Sequence, residues 1–314
     1  MLYRSTNGKA KPVNFKTALI NGQAEDKGLY FPEKIPVLPD SFIKNLKAYS
    51  REEIAFKVIQ PYVQHEISDA GLQEIIKETV NFDFPLITLN EHIAVLELFH
   101  GPTMAFKDVG ARFMSRCLAY LTKSENKKVT VLVATSGDTG GAVADGFYNV
   151  ENVNVVVLYP SGKVSEVQEK QLTTYGNNIK ALEVKGNFDD CQKMVKEAFA
   201  DNELRKQLHL TSANSINVAR WLPQQFYYFF ALQQWQQEEL PVISVPSGNF
   251  GNICAGMLAW KSGLPVKHFI ASCNTNDTVT GWFHTGEYQP KKAVATISNA
   301  MDVGDPSNFV GILE

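Results

Sequence analysis

Cysteine is scarce in this sequence and never occurs at short spacing. Cys117, Cys191, Cys254 and Cys273 lie far apart, with no C-x-x-C pair and no histidine at metal-ligand spacing. That pattern excludes a disulfide scaffold or a structural zinc site, and reduced thiols in a cytoplasmic protein are the expectation. Charge of one sign is scarce too. A formal net charge of -3 offers no grip to nucleic acid or an anionic membrane. No apolar run approaches the ~20 residues that span a bilayer, and the opening Met-Leu-Tyr-Arg-Ser-Thr-Asn-Gly-Lys is too polar for a secretory leader. No internal repeat or low-complexity linker is visible. No strand leads into G-x-G-x-x-G, which sets aside a nicotinamide dehydrogenase, and no Gly-Lys-Ser/Thr closes a Walker A loop.

What is present is an ordinary soluble composition, 44% hydrophobic and 20% charged, over 314 residues. That length exceeds one common domain and predicts two lobes. Residues 1–40 are rich in turns. Residues 40–82 read as two or three amphipathic helices, one opening on the capping box Ser50-Arg-Glu-Glu53 and the next at Ser68. From residue 85 short apolar runs alternate with glycine turns and helical patterns. Val129–Ala134, Val153–Tyr159, Ile179–Val184, Val242–Val245 and Lys267–Ser272 are the expected strands. Alternation of this kind predicts an α/β fold with two parallel-sheet lobes, flanking helices and an N-terminal helical segment. The expected division is a segment 1–84, a larger lobe from 85–125 and 217–314, and a smaller lobe 126–216.

Three stretches carry chemistry. After the apolar run Val95–Phe99 and a His-Gly-Pro turn, Thr103 suits an N-cap, which places Lys107 in the first turn of a helix. A lysine near a positive helix end among apolar neighbours has its charged form disfavoured, and so suits Schiff-base chemistry. Pairing with Asp108 or Glu97 as a solvated lysine is the plainer reading. Two glycine-rich turns, Ser136-Gly-Asp-Thr-Gly140 and Ser247-Gly-Asn-Phe-Gly-Asn252, open onto helix N-termini, where unpaired amides and the helix dipole favour anions. Each alone also reads as plain turn chemistry. A lysine with two anion loops describes a ligand bearing a phosphate and an aldehyde beside an amino-acid carboxylate. Pyridoxal phosphate with an amino-acid substrate fits all three.

The chain closely resembles the threonine synthase family throughout its length. The resemblance is carried by Asp26-Lys-Gly-Leu-Tyr-Phe-Pro32, Leu96-Glu-Leu-Phe-His-Gly-Pro-Thr-Met-Ala-Phe-Lys-Asp108, Ala134-Thr-Ser-Gly-Asp-Thr-Gly140, Ser212-Ala-Asn-Ser-Ile-Asn217, Val245-Pro-Ser-Gly-Asn-Phe-Gly251 and Ser298-Asn-Ala-Met-Asp302. It implies a fold type II pyridoxal-phosphate enzyme that turns O-phospho-L-homoserine and water into L-threonine and phosphate. By the same resemblance Lys107 would join the cofactor as a Schiff base. Gly248, Asn249, Phe250, Gly251 and Asn252 would hold the cofactor phosphate. Ser136, Gly137, Thr139 and Gly140 would take the substrate carboxylate, with Asp138 near the cofactor's 3'-oxygen. For the substrate phosphate, Arg112 and Lys163 are the candidates because each lies close to a motif turn. Members of the family continue past the position of Glu314 with Ser-Glu-Pro-His and Gly-Thr-Ala-His-Pro motifs, so this sequence reads as a truncated form. The same motifs suit a phospholyase that releases a keto acid and ammonia, or a protein that keeps the cofactor without catalysis.

Overall fold

The computed structural model describes residues 1–123 and 128–314. Its strands, in chain order, are β1 (Tyr3–Ser5), β2 (Tyr30–Pro32), β3 (Leu86–Thr88), β4 (Ala94–Leu96), β5 (Val129–Ala134), β6 (Val153–Pro160), β7 (Ile179–Val184), β8 (His209–Ser212), β9 (Val242–Pro246) and β10 (His268–Ser272). Four form one parallel sheet in the order β7-β6-β5-β8. Every residue of β5, Val-Thr-Val-Leu-Val-Ala, is buried, as expected of a central strand covered on both faces. A second parallel pair joins β9 to β10 with His268 opposite Val242. The expected lobe boundary at 125–126 lies outside the described residues.

The N-terminal elements pack into the main core. β1 pairs antiparallel with β2, setting Tyr3 opposite Pro32. Helices Arg51–Val63 and Asp69–Thr79 start at Ser50 and Ser68, and the Ser50–Glu53 capping box is complete. Their apolar faces, including Ile54, Ile59, Leu72 and Ile76, join one large core with Phe113, Phe226, Phe229 and Phe230. Helix Gln225–Gln234 is buried around its whole first half, from Gln225 to Phe230. No helix among the described residues is long and apolar enough to cross a membrane.

The apolar run Val95–Phe99 overlaps the short β4, which pairs antiparallel with β3 in a hairpin and joins neither parallel sheet. One local expectation is corrected. The following helix starts at Lys107, and Thr103 is not its N-cap. The cause is Asp108, whose carboxylate receives both the Thr103 amide, at 3.0 Å, and the Thr103 hydroxyl. Residues 101–106 are thereby closed into a turn, with Met104 at a positive φ of 56°, and helical geometry begins only after it.

Candidate active site

Lys107 is the first residue of helix Lys107–Thr122. The carbonyl before it is held in place, because the Tyr227 hydroxyl donates to Phe106 O. The lysine side chain is only 15% exposed, and its Nζ sits 4.8 Å from the centre of the Phe106 ring. Nζ donates to Asp138 Oδ2 at 3.3 Å. Burial pushes the amine below its ordinary pKa. Asp138 opposes that shift, and the buried Arg220 guanidinium reinforces it. Arg220 is itself pushed down by burial to about 10, and it donates to Ala213 O.

Asp138 opens helix Asp138–Phe147. Its other oxygen accepts from Gln168 Nε2 at 2.8 Å. Burial works against ionisation, but the Lys107 ammonium and the Gln168 amide outweigh it and hold the carboxyl below its ordinary value. The turn ahead of this helix is organised by one hydroxyl. Thr135 Oγ1 accepts the amides of Gly137 at 2.9 Å and Gly140 at 2.8 Å, and donates to Gly137 O at 3.1 Å. Gly137, at φ 140°, occupies backbone space that other residues rarely enter. Ser136 is exposed and Thr139 half-buried beside it, at a helix end whose first amides have no partner within the helix.

The second turn brings Phe250 into the left-handed region at φ 65° and opens helix Gly251–Lys261. Asn252 closes the turn by donating to Pro246 O at 2.7 Å. Tyr228, next to Tyr227 on the same helix, donates to Asn252 O at 2.7 Å. Asn249 Nδ2 donates to Ser215 Oγ, and Asn249 Oδ1 receives the Ser307 amide at 2.6 Å.

Residues 214 and 215 couple the two turns. Asn214 Nδ2 donates to Ala134 O at 2.9 Å, at the foot of the first turn, while Ser215 receives Asn249 of the second. Lys107, Asp138 and both glycine turns are thus joined through hydrogen bonds. Arg112 and Lys163 are not drawn into this set. Arg112 Nη1 donates to Glu78 O and Asn81 Oδ1, both at 3.1 Å, and Nη2 pairs with Asp145 at 3.4 Å. Lys163 is exposed, and its amine makes no hydrogen bond or ion pair with the other site residues among those described.

Sequence reasoning missed Thr135, Gln168, Arg220, Tyr227 and Tyr228. Two of them had signals. Gln168 stands three residues after Ser165, as a capping box requires, and that box forms. Arg220 is a lone cation in the otherwise apolar Val218-Ala-Arg-Trp-Leu222, an arrangement that implies a buried, paired charge.

A phosphate-bearing aldehyde fits what is present. An amine whose charged form is disfavoured can capture a carbonyl. The start of helix Gly251–Lys261 offers unpaired amides to a phosphate, and beside it the buried side-chain amide of Asn308 has no partner. Among the described residues no cluster of His, Cys, Asp and Glu could hold a metal ion.

Residues 2–80 match the family described as Threonine synthase N terminus, and residues 84–313 match the family described as Pyridoxal-phosphate dependent enzyme. The threonine synthase of Haemophilus influenzae is 48% identical over 304 residues, spanning 96% of this chain and 71% of its own length. The crystal structure of threonine synthase from Escherichia coli superposes with a TM-score of 0.93 at 43% identity, covering 100% of this chain and 73% of that one. The pyridoxal-phosphate-bound threonine synthase from Brucella melitensis gives a TM-score of 0.94 at 39% identity, covering 100% of this chain and 69% of the other. In sequence over nearly its whole length and in fold, the chain belongs to the threonine synthase family of pyridoxal-phosphate dependent lyases.

Proposed function

We propose that this chain converts O-phospho-L-homoserine and water into L-threonine and phosphate, with Lys107 at the centre of the chemistry. The observation that carries this reading is the buried Lys107 amine, 3.3 Å from Asp138 and depressed in basicity by its surroundings. Bound pyridoxal phosphate supplies the electron sink that makes the hydrogens on Cα and Cβ of the substrate acidic. Lys107 Nζ would hold the cofactor through its aldehyde carbon and, once displaced by the substrate amine, would stand beside Cα as the base. Burial lowers its hold on a proton, so it would move the proton from Cα and, after giving that one up, one from Cβ.

Asp138 orients that amine and is itself fixed from behind by Gln168. The amides and hydroxyls of Ser136 and Thr139 bind the substrate α-carboxylate at a helix end that favours an anion, while Gly137 and Gly140, whose amides Thr135 Oγ1 takes, shape the turn around it. Gly248, Asn249, Phe250, Gly251 and Asn252 seat the cofactor phosphate by the same physics. For the substrate's own phosphate, the exposed Lys163 amine is the better candidate of the two, since Arg112 is occupied by Asp145, Asn81 and Glu78. We read residues 126–216 as the smaller lobe, 85–125 with 217–314 as the larger, and 1–84 as the N-terminal segment. The four free thiols support a cytoplasmic location.

Product analysis of the cofactor-loaded protein with O-phospho-L-homoserine tests the reading, and threonine with phosphate is the expected outcome. Keto acid with ammonia in place of threonine would identify a phospholyase instead. Lys107→Ala should lower turnover by about a thousandfold or more while leaving the circular dichroism of the fold unchanged. Near-normal turnover in that variant refutes the assignment of Lys107.

A further inference from the structure

Asn308 is 2% exposed, yet neither its amide nitrogen nor its amide oxygen has a hydrogen-bond partner among the described residues. Leaving a buried primary amide unpaired is costly, and such groups mark places where something else completes the bond. The position of this one is specific. The Asn308 backbone amide donates to Asn249 O at 3.2 Å, and the neighbouring Ser307 amide donates to Asn249 Oδ1 at 2.6 Å. The Phe309 ring meets the Phe250 ring edge-on at 5.7 Å. Residues 307–309 are therefore laid along the second glycine turn. A methyl group on Gly251 would stand 3.0 Å from Asn308 Nδ2. The side-chain amide accordingly lies over the first residue of helix Gly251–Lys261, on the side left bare by the missing Cβ.

We infer that Asn308 is a further ligand of the cofactor phosphate, its Nδ2 donating to a phosphate oxygen seated on the first amides of that helix. The inference rests on the reading of residues 248–252 as the phosphate turn and adds a residue well downstream of it in the sequence, outside the glycine motif. The chemistry suits the position. A neutral amide adds a donor without a second cation, and its placement against Gly251 explains why one orphaned donor sits at the anion-favouring end of the helix. Because Ser307 and Asn308 also grip Asn249 through the backbone, the same segment shapes the turn and faces the anion.

The test compares pyridoxal phosphate with pyridoxal, which lacks the phosphate, on wild-type protein, Asn308→Ala and Asn308→Asp. Affinities are read from the visible absorbance of the lysine adduct, alongside the thermal midpoint of the cofactor-free protein and the phosphorus NMR resonance of the bound cofactor. Asn308→Ala should weaken pyridoxal phosphate by about tenfold to a hundredfold and leave pyridoxal unchanged. Asn308→Asp keeps the shape and adds a negative charge. It should weaken pyridoxal phosphate further without lowering the cofactor-free midpoint, since a carboxylate is welcome at a helix N-terminus. The Asp variant carries the comparison even where the alanine variant does not fold. Equal weakening of both ligands, or an unshifted phosphorus resonance in both variants, would make Asn308 a packing group and overturn the inference. Wild-type protein that takes up neither ligand would overturn the cofactor assignment itself, and this inference with it.

Discussion

The Nζ of Lys107 lies 3.3 Å from the Oδ2 of Asp138, and each residue is the first of its own helix. The pair brings the starts of helices Lys107–Thr122 and Asp138–Phe147 together, so the amine stands where two helix dipoles and the buried Arg220 all disfavour its proton. Asp138 is what keeps the amine from losing that proton more readily still.

Replacing Asp138 by Asn removes that counterweight. Burial and Arg220 remain, so the Lys107 pKa should fall further, and the neutral, carbonyl-capturing form should dominate at lower pH than in the wild type. The pH profile of pyridoxal capture, read by borohydride trapping at Lys107, measures this. A midpoint that moved upward would contradict the described balance of charges.

Gly110 lies three residues into the same helix, and a Cβ there would stand 2.3 Å from the carbonyl oxygen of Arg220. Backbone on both sides cannot yield cheaply. Gly110→Ala should destabilise the protein by about 1–3 kcal/mol and weaken cofactor uptake with it, because the displaced helix carries Lys107. Denaturant midpoints with and without pyridoxal phosphate report both effects, and wild-type stability in the variant would refute the close approach.

Adjacent tyrosines offer a separation of function. Tyr228→Phe removes the hydroxyl that donates to Asn252 O and should cost about 1 kcal/mol of stability. Its effect on cofactor binding should be larger for pyridoxal phosphate than for pyridoxal, because the turn it supports is the phosphate turn. Tyr227→Phe instead removes the hydroxyl bond to the carbonyl of Phe106, just before Lys107. It should slow capture of the two aldehydes alike. Identical ligand preferences in the two variants would show that the hydroxyls do not act on separate turns.

Acid stability should depend on Asp26. Its carboxylate accepts the Ser5 hydroxyl at 2.5 Å and the amides of Gly28, Ala10 and Lys9 at 3.0, 2.8 and 2.9 Å. The Ser5 bond foremost, with those amides, holds the carboxyl well below the usual range. A folded-state value below the unfolded one, about 3.9, contributes stability that is present above that pH and is lost as pH falls through the folded value. Asp26→Asn should therefore melt earlier than wild type near neutrality, with the gap narrowing in acid. A gap independent of pH would remove Asp26 from the account.

The limits of β5 and β7 were legible because each is an apolar, β-rich run bounded by turns, and both strands run where the pattern puts them, Val129–Ala134 and Ile179–Val184. The caps at Ser50 and Ser68 were legible for a similar reason, since a capping hydroxyl acts within three residues of itself. The glycine turns also announce themselves locally. Where the local rule met a longer-range competitor it failed, as at Thr103, whose hydroxyl and amide are taken by Asp108.

The sequence by itself determined the α/β architecture, the two anion-favouring turns and the membership of a cofactor family, because propensity, turn chemistry and motif order all act through neighbours in the chain. Only the tertiary structure decided what surrounds the lysine amine. Asp138, Gln168, Arg220 and the tyrosine pair reach the site from elements far apart in sequence, and burial, which sets the amine's basicity, exists only once those elements pack together.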